Sequence, residues 1–287
     1  MHGGDCPLRL SVSRLFSAAM NRTALAITAH PDDIEFSMAG TMLLLQQAGW
    51  NIHCFNVANG SLGSTVMNAA RTVTVRRTEA KNAAKIMGAA WHPPVSNDCE
   101  IIYSLPLLRK IAAVVRKVNP SVVLTHAPQD YMEDHMETCR LAVTASFCKN
   151  FPNYRSTPPT KPGSGDVTVY HTMPHMLSTP LGERVHPEAY VDVTAVMEQK
   201  TAALAAHACQ KQWLDETQGM DSFLLTMKSF MVTLGKESKK FRFAEGWRKH
   251  LHAGFCAEDA DPLAEALGTH YLRRGARLIN KLRRPLR

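Results

Sequence analysis

No pair of cysteines in this 287-residue chain stands at Cys-x-x-Cys spacing; the seven are scattered at 6, 54, 99, 139, 148, 209 and 256. An odd, dispersed set excludes a disulfide framework and points to a reducing compartment, so a cytoplasmic location is expected. No apolar run approaches the roughly 20 residues that a membrane-spanning helix needs. The first 27 residues, MHGGDCPLRLSVSRLFSAAMNRTALAI, lack the apolar core and small-residue cleavage site of a secretory signal. Residues 1–19 are expected to be a dispensable leader ahead of Met20. Internal repeats and low-complexity tracts are also lacking. The net charge of +8 is not a property of the whole surface, because the stretch 270–287 alone holds seven Lys or Arg and no acid. That excludes a general nucleic-acid-binding surface and confines the question of an anionic partner to the tail.

What remains is the composition of an ordinary globular protein, 45% hydrophobic and 20% charged. TALAITA (23–29) reads as a buried strand, SMAGTMLLLQQAG (37–49) as a helix stopped at Gly49, and NIHCFNVANG (51–60) as a second strand. A helix is expected from Asn68 to Met87, another over 105–120, and a third buried strand over 121–126. Further strands are read at 167–171 and 189–194, and a long helix from Val196 to Glu216. Alternating strands and helices of these lengths predict an α/β fold, a Rossmann-like, mostly parallel sheet with helices on both faces and the site at strand carboxyl ends. One domain is expected over 20–255, with a flexible insert near 151–166 and a basic extension over 256–287.

Two runs carry the chemistry. ITAHPDDIEF (27–36) ends a buried strand in His30, Pro31, Asp32, Asp33 and Glu35, and THAPQDYMEDHMET (125–138) ends another in His126, Asp130, Glu133, Asp134 and His135. Buried charges need partners, and a cation is one. Two histidines, a carboxylate and an open position suit a catalytic zinc, with a spare carboxylate to take a proton. The first run alone also reads as a turn whose Asp side chains cap a helix. His207 on its Ala-rich stretch reads by spacing first as a core histidine, and His171 and His175 as surface residues; Arg76 and Glu79 also read as an i,i+3 helix pair and Asp98 as a turn cap.

AHPDDIE followed by a distal Asp-His in HAPQDYMEDH resembles the zinc de-N-acetylases related to N-acetylglucosaminyl-phosphatidylinositol deacetylase, the PIG-L or LmbE-like family. RRTEA (76–80), Asn97-Asp98, VDVTAVMEQKTAALAAHACQ (191–210) and FAEGWR (243–248) extend the resemblance over most of 23–250. It implies one Zn2+ per chain on His30, Asp33 and His135, with Asp32 as general base, acting on an N-acetylglucosamine-like small molecule. It also implies weaker substrate-binding roles for Arg76, Asp98, His126, Tyr131, Met132 and His207. One position departs: the family often has a histidine three residues before the second zinc histidine, where this chain has Met132. Asp134, which would orient that histidine, is left without that partner and is read as an orienting or structural group. A metal-dependent phosphoesterase and a non-catalytic sugar-binding relative are the alternative readings. In the tail, Leu272, Ala276, Ile279, Leu282 and Leu286 make a helical stripe opposed by basic residues, a pattern suited to an anionic membrane or an acidic partner. The oligomeric state is not legible.

Overall fold

A computed structural model describes residues 21–209 and 223–275. The chain runs β1 (Thr23–Thr28), α1 (Asp33–Ser37), α2 (Ala39–Gln47), β2 (Asn51–Asn56), α3 (Ala69–Met87), β3 (Ala90–His92), α4 (Leu105–Val118), β4 (Val122–Thr125) and α5 (Glu133–Phe147). It continues through β5 (Thr168–Thr172), β6 (Ala189–Asp192), α6 (Met197–Ala205), α7 (Phe223–Ser238), β7 (Ala244–Lys249), α8 (Pro262–Leu267) and β8 (Tyr271–Arg273). The strands form one eight-stranded sheet in the order β3-β2-β1-β4-β5-β7-β6-β8. β3 through β5 in that order are parallel, and β7, β6 and β8 are added antiparallel. The expected mostly parallel sheet is present; its antiparallel end was not foreseen. Among the described residues no helix is long and apolar enough to cross a membrane.

The two-residue period of the central strands builds the two halves of the core. Ala24 and Ala26 face one side with Val122 and Leu124, against α2, α6 and α7; Leu25, Ile27 and Val123 face the other, against α4 and α5. Helix ends fall where local chemistry puts them. Asn68 Oδ1 accepts from Arg71 N at 3.0 Å to start α3, and Ser104 Oγ accepts from Leu107 N to start α4.

The helix read over 37–49 is present as α2, and the separate short α1 precedes it, the two divided at Met38 (φ −132°). The cause lies far away in sequence. Glu245 on β7 accepts from Gly40 N at 2.8 Å and Thr41 N at 2.7 Å, so a buried carboxylate makes a second helix N-terminus there. Gly40 permits this, since a Cβ would lie 2.4 Å from Val193 and 2.9 Å from the carboxylate. The helix expected to reach Glu216 ends at Ala205, with a tight last turn from His207 N to Leu204 O; residues beyond 209 on that stretch lie outside the described residues.

The boundary at 255 falls inside the fold. Asp261 accepts from Tyr170 Oη and Tyr271 Oη at 2.8 Å each, and β8 pairs with β6. The tail stripe was expected to be helical from Leu272, but residues 271–273 are strand; its other members, like the leader 1–19, lie outside the described residues. The loop over 151–166 has no regular element. Its carbonyls are met by two buried cations: Arg116 donates to Phe151 O at 2.6 Å and Thr160 O at 3.1 Å, and Lys149 to Ser164 O at 3.0 Å.

Candidate metal centre

β1 lies between β2 and β4, so the connections from β1 and β4 leave in opposite directions and open a crevice at their carboxyl ends. The two sequence runs meet there. Ala29 N donates to His126 Nε2 at 2.9 Å, tying the two strand ends together. His126 Nε2 is also 3.3 Å from Asp33 Oδ2, but one nitrogen cannot accept from an amide and donate to a carboxylate. Burial lowers the pKa of His126, which leaves Nε2 the acceptor.

His30, Asp33 and His135 each offer a ligand atom within 4.8 Å of the others. The far nitrogen of each imidazole is held by a carboxylate. His135 Nδ1 is 3.1 Å from Asp130 Oδ1, and His30 Nε2 is 3.0 Å from Asp134 Oδ2. The nitrogens left facing Asp33 are His135 Nε2 at 3.5 Å and His30 Nδ1 at 3.6 Å. Carboxylates that orient imidazoles in this way are the usual support of histidine metal ligands. The donor set and its support fit a divalent cation.

Electrostatics agree. Burial raises the Asp33 carboxyl, but the charged imidazole of His135 outweighs it and holds the pKa well below the ordinary range. Burial pulls His135 down while Asp33 and Asp130 carry it to about 10. Burial likewise opposes His30, which Asp134 and Asp33 carry to about 9. The two imidazoles therefore hold protons that a bound cation would displace.

Asp32 is built differently. Its backbone is left-handed, φ 109°, which a non-glycine residue adopts only under constraint. Arg76 supplies the constraint from α3, donating from Nη2 to Pro31 O and lying 3.2 Å from Asp32 Oδ2. Gly60 (φ 79°) makes room, because a Cβ there would meet Arg76 Cδ at 2.6 Å. Burial pushes the Asp32 carboxyl up to about 6, with Arg76 pulling the other way.

Asp32, Asp33, His126 and His135 lie in a pocket of about 490 Å³ whose walls include Phe36, Tyr131, Met132, His175, Phe223 and Phe230. Phe36 stacks on His175 and Phe223 at 5.4 and 5.9 Å. Among the described residues its lining holds no lysine or arginine. A larger groove of about 1070 Å³ runs between the loop after β3 and α4, without a comparable cluster.

Several expectations are revised. Arg76 is buried behind Asp32, and Asp98 accepts from Gly60 N at 2.7 Å and Leu62 N at 3.0 Å; both hold loops and neither lines the pocket. His207 is buried with Nε2 3.3 Å from Glu35 Oε2 and is not in the pocket lining. Asp134 has a partner after all, His30, from across 104 residues. Neither His171 nor His175 is a surface residue: His171 is buried against His126 O and His250, and His175 is half-buried in the pocket wall. Asp130 was seen in its run but given no part, and Phe36, Phe223 and Phe230 carry no polar signal that sequence could single out.

Fold and cluster together define an α/β protein with a possible His/Asp metal site at the switch point of its sheet. Residues 25–146 match the family described as PIG-L, GlcNAc-PI de-N-acetylase. It is 29% identical over 201 residues to 4-oxalmesaconate hydratase of Pseudomonas putida, covering 66% of this chain and 74% of that protein. It is 26% identical over 196 residues to diacetylchitobiose deacetylase of Thermococcus kodakarensis, covering 66% and 70%. Among solved structures, a 4-carboxy-2-hydroxymuconate hydratase from P. putida superposes with a TM-score of 0.67 at 25% identity, covering 79% of this chain and 95% of that one.

Proposed function

We propose that this chain is a zinc-dependent de-N-acetylase that hydrolyses the N-acetyl group of an N-acetylglucosamine-like conjugate. The observation that carries the reading is the cluster of His30, Asp33 and His135, two of whose members line one pocket with a separately constrained Asp32. A zinc ion on those three ligands would supply a Lewis acid for the acetyl carbonyl and a lowered pKa for the attacking water. Asp130 and Asp134 hold the two imidazoles in the tautomers that leave their inner nitrogens free. Asp32, fixed by Arg76, accepts the proton of the attacking water and delivers it to the departing amine. The rings of Phe36, Phe223 and Phe230 offer apolar faces to a sugar. A single three-ligand cluster among the described residues supports this over a phosphoesterase with paired metals.

The 29% relationship to a hydratase supports a second reading, addition of water to an unsaturated acid. Its substrate would be anionic, and a pocket lining without lysine or arginine among the described residues favours the neutral sugar instead. The test is acetate release from N-acetylglucosamine and N,N′-diacetylchitobiose by zinc-loaded protein, run beside hydration of an unsaturated dicarboxylate followed by its ultraviolet absorbance. Acetate release is expected. Hydration without acetate release would replace the proposal with the second reading.

A further inference from the structure

Amide hydrolysis puts negative charge on the carbonyl oxygen, and the pocket can be surveyed for hydrogen-bond donors that could meet it. Most are engaged. The outer nitrogens of His30 and His135 are bound to Asp134 and Asp130, His126 Nε2 accepts from Ala29 N, and Ser37 Oγ donates to Asp33 O at 2.8 Å. Thr172 Oγ1 is turned to Ser37 O, Met132 has no donor, and Tyr131 is 62% exposed, where water competes for its hydroxyl.

His175 differs from all of these. Its ring lies between Phe36, at 5.4 Å and 27°, and Tyr131, at 5.2 Å and 54°. Its backbone N donates to Asp130 Oδ2 at 3.1 Å, the carboxylate whose other oxygen holds His135. Neither ring nitrogen has a hydrogen-bond partner among the described residues. The next two residues, Met176 (φ 62°) and Leu177 (φ 55°), are both non-glycine residues in the left-handed region. Two consecutive constrained residues beside a pocket mark a turn kept for the side chain it presents.

We propose that His175 is a catalytic residue of this pocket, donating an imidazole N–H to the acetyl carbonyl oxygen as it becomes anionic. The proposal rests on the deacetylase reading. Water oxygen bonds to the acetyl carbon, its proton goes to Asp32, and the amine takes that proton as the C–N bond breaks. His175 keeps its own proton throughout. Burial lowers its pKa, which keeps the ring neutral near pH 7 and suits it to donating a hydrogen bond rather than a proton.

The test compares zinc-loaded wild type with His175→Phe, which keeps the stack on Phe36, and His175→Gln, which keeps an N–H donor. Zinc content is measured for each. Against N,N′-diacetylchitobiose, His175→Phe is expected to lower kcat by about 10²–10³-fold, the usual cost of one oxyanion donor, with KM changed far less and His175→Gln intermediate. Acetate, whose oxygens mimic the carbonyl, is titrated calorimetrically into the same proteins; affinity is expected to fall about tenfold in His175→Phe, the loss of one hydrogen bond. A His175→Phe rate close to wild type, or an unchanged acetate affinity, overturns the proposal. If wild type releases no acetate but acetate binding still depends on His175, the donor assignment stands and the deacetylase reading falls.

Discussion

Replacing Lys200 by Met should destabilise this fold severely, although the residue lies outside the pocket. Lys200 Nζ on α6 is 2.7 Å from Glu245 Oε1 on β7 and 2.9 Å from Phe36 O, and both side chains are 0% exposed. Glu245 also accepts the two amides that begin α2. Burial depresses the pKa of Lys200, and Glu245, with Glu35 adding less, pulls it back. Met matches the length of Lys but leaves Glu245 as a buried anion without a cation. Removing one partner of a buried pair costs about 3–5 kcal/mol. At about 2–4 °C per kcal/mol for a domain of this size, Tm should fall by about 6–20 °C. Removing both charges in Lys200→Met/Glu245→Gln should recover part of the loss, because no uncompensated ion is left. Urea and thermal denaturation followed by circular dichroism measure Lys200→Met, Glu245→Gln and the double variant. A Lys200→Met cost below about 1 kcal/mol, or a double variant worse than the sum of the singles, refutes the reasoning.

Asp32→Asn should keep its zinc and lose about 10²–10⁴-fold in acetate release, as a lost general base does; turnover near wild type removes Asp32 from the mechanism. Because Asp32 must be ionised and stands at about 6 in the metal-free site, kcat/KM should fall below about pH 6, and the limb should move lower if bound zinc favours the anion. His135→Ala should lose bound metal, and a full equivalent retained would refute the ligand assignment. Zinc binding must displace protons from His30 and His135, whose pKa values are about 9 and 10, so apparent affinity measured between pH 6.5 and 7.5 should rise by up to about 100-fold per unit. The metal-free protein should show the opposite trend: both pKa values are raised from 6.5, so their stabilisation is complete below that pH and is lost as pH climbs through about 9–10. A flat stability profile from pH 7 to 10 in metal-free protein would count against these ion pairs. Met132→His should be neutral or harmful to rate if His175 already supplies the donor, and a clear gain at unchanged zinc content would say otherwise.

The parts of this protein legible in the sequence are those whose signal is local. A buried strand of period two followed by His-Pro-Asp-Asp names both the element and the chemistry at its end, and the Asp-His of the second run does the same. The topology then brings them together, since parallel strands end on one side. What the sequence hid depends on partners more than 100 residues apart. The break at Met38 is invisible because Glu245, which causes it, lies 205 residues from Gly40. The partner of Asp134 is equally invisible, because His30 lies 104 residues away and only the fold brings it within 3.0 Å.

The matches at Lys200 and Glu245 show the same limit from the other side. Both lie in stretches that carry the resemblance, and the fold buries them together as an ion pair against the backbone of Phe36. Burial separates the two cases. A charged group paired wholly within the protein, as Lys200 is, has no valence left for a ligand. A polar side chain in a constrained turn that lines the pocket between aromatic rings, and whose ring nitrogens have no hydrogen-bond partner among the described residues, as with His175, keeps bonding capacity for a ligand. Identity of the side chain is common to both and decides neither. The partner count decides, and that count requires the three-dimensional neighbours of each residue.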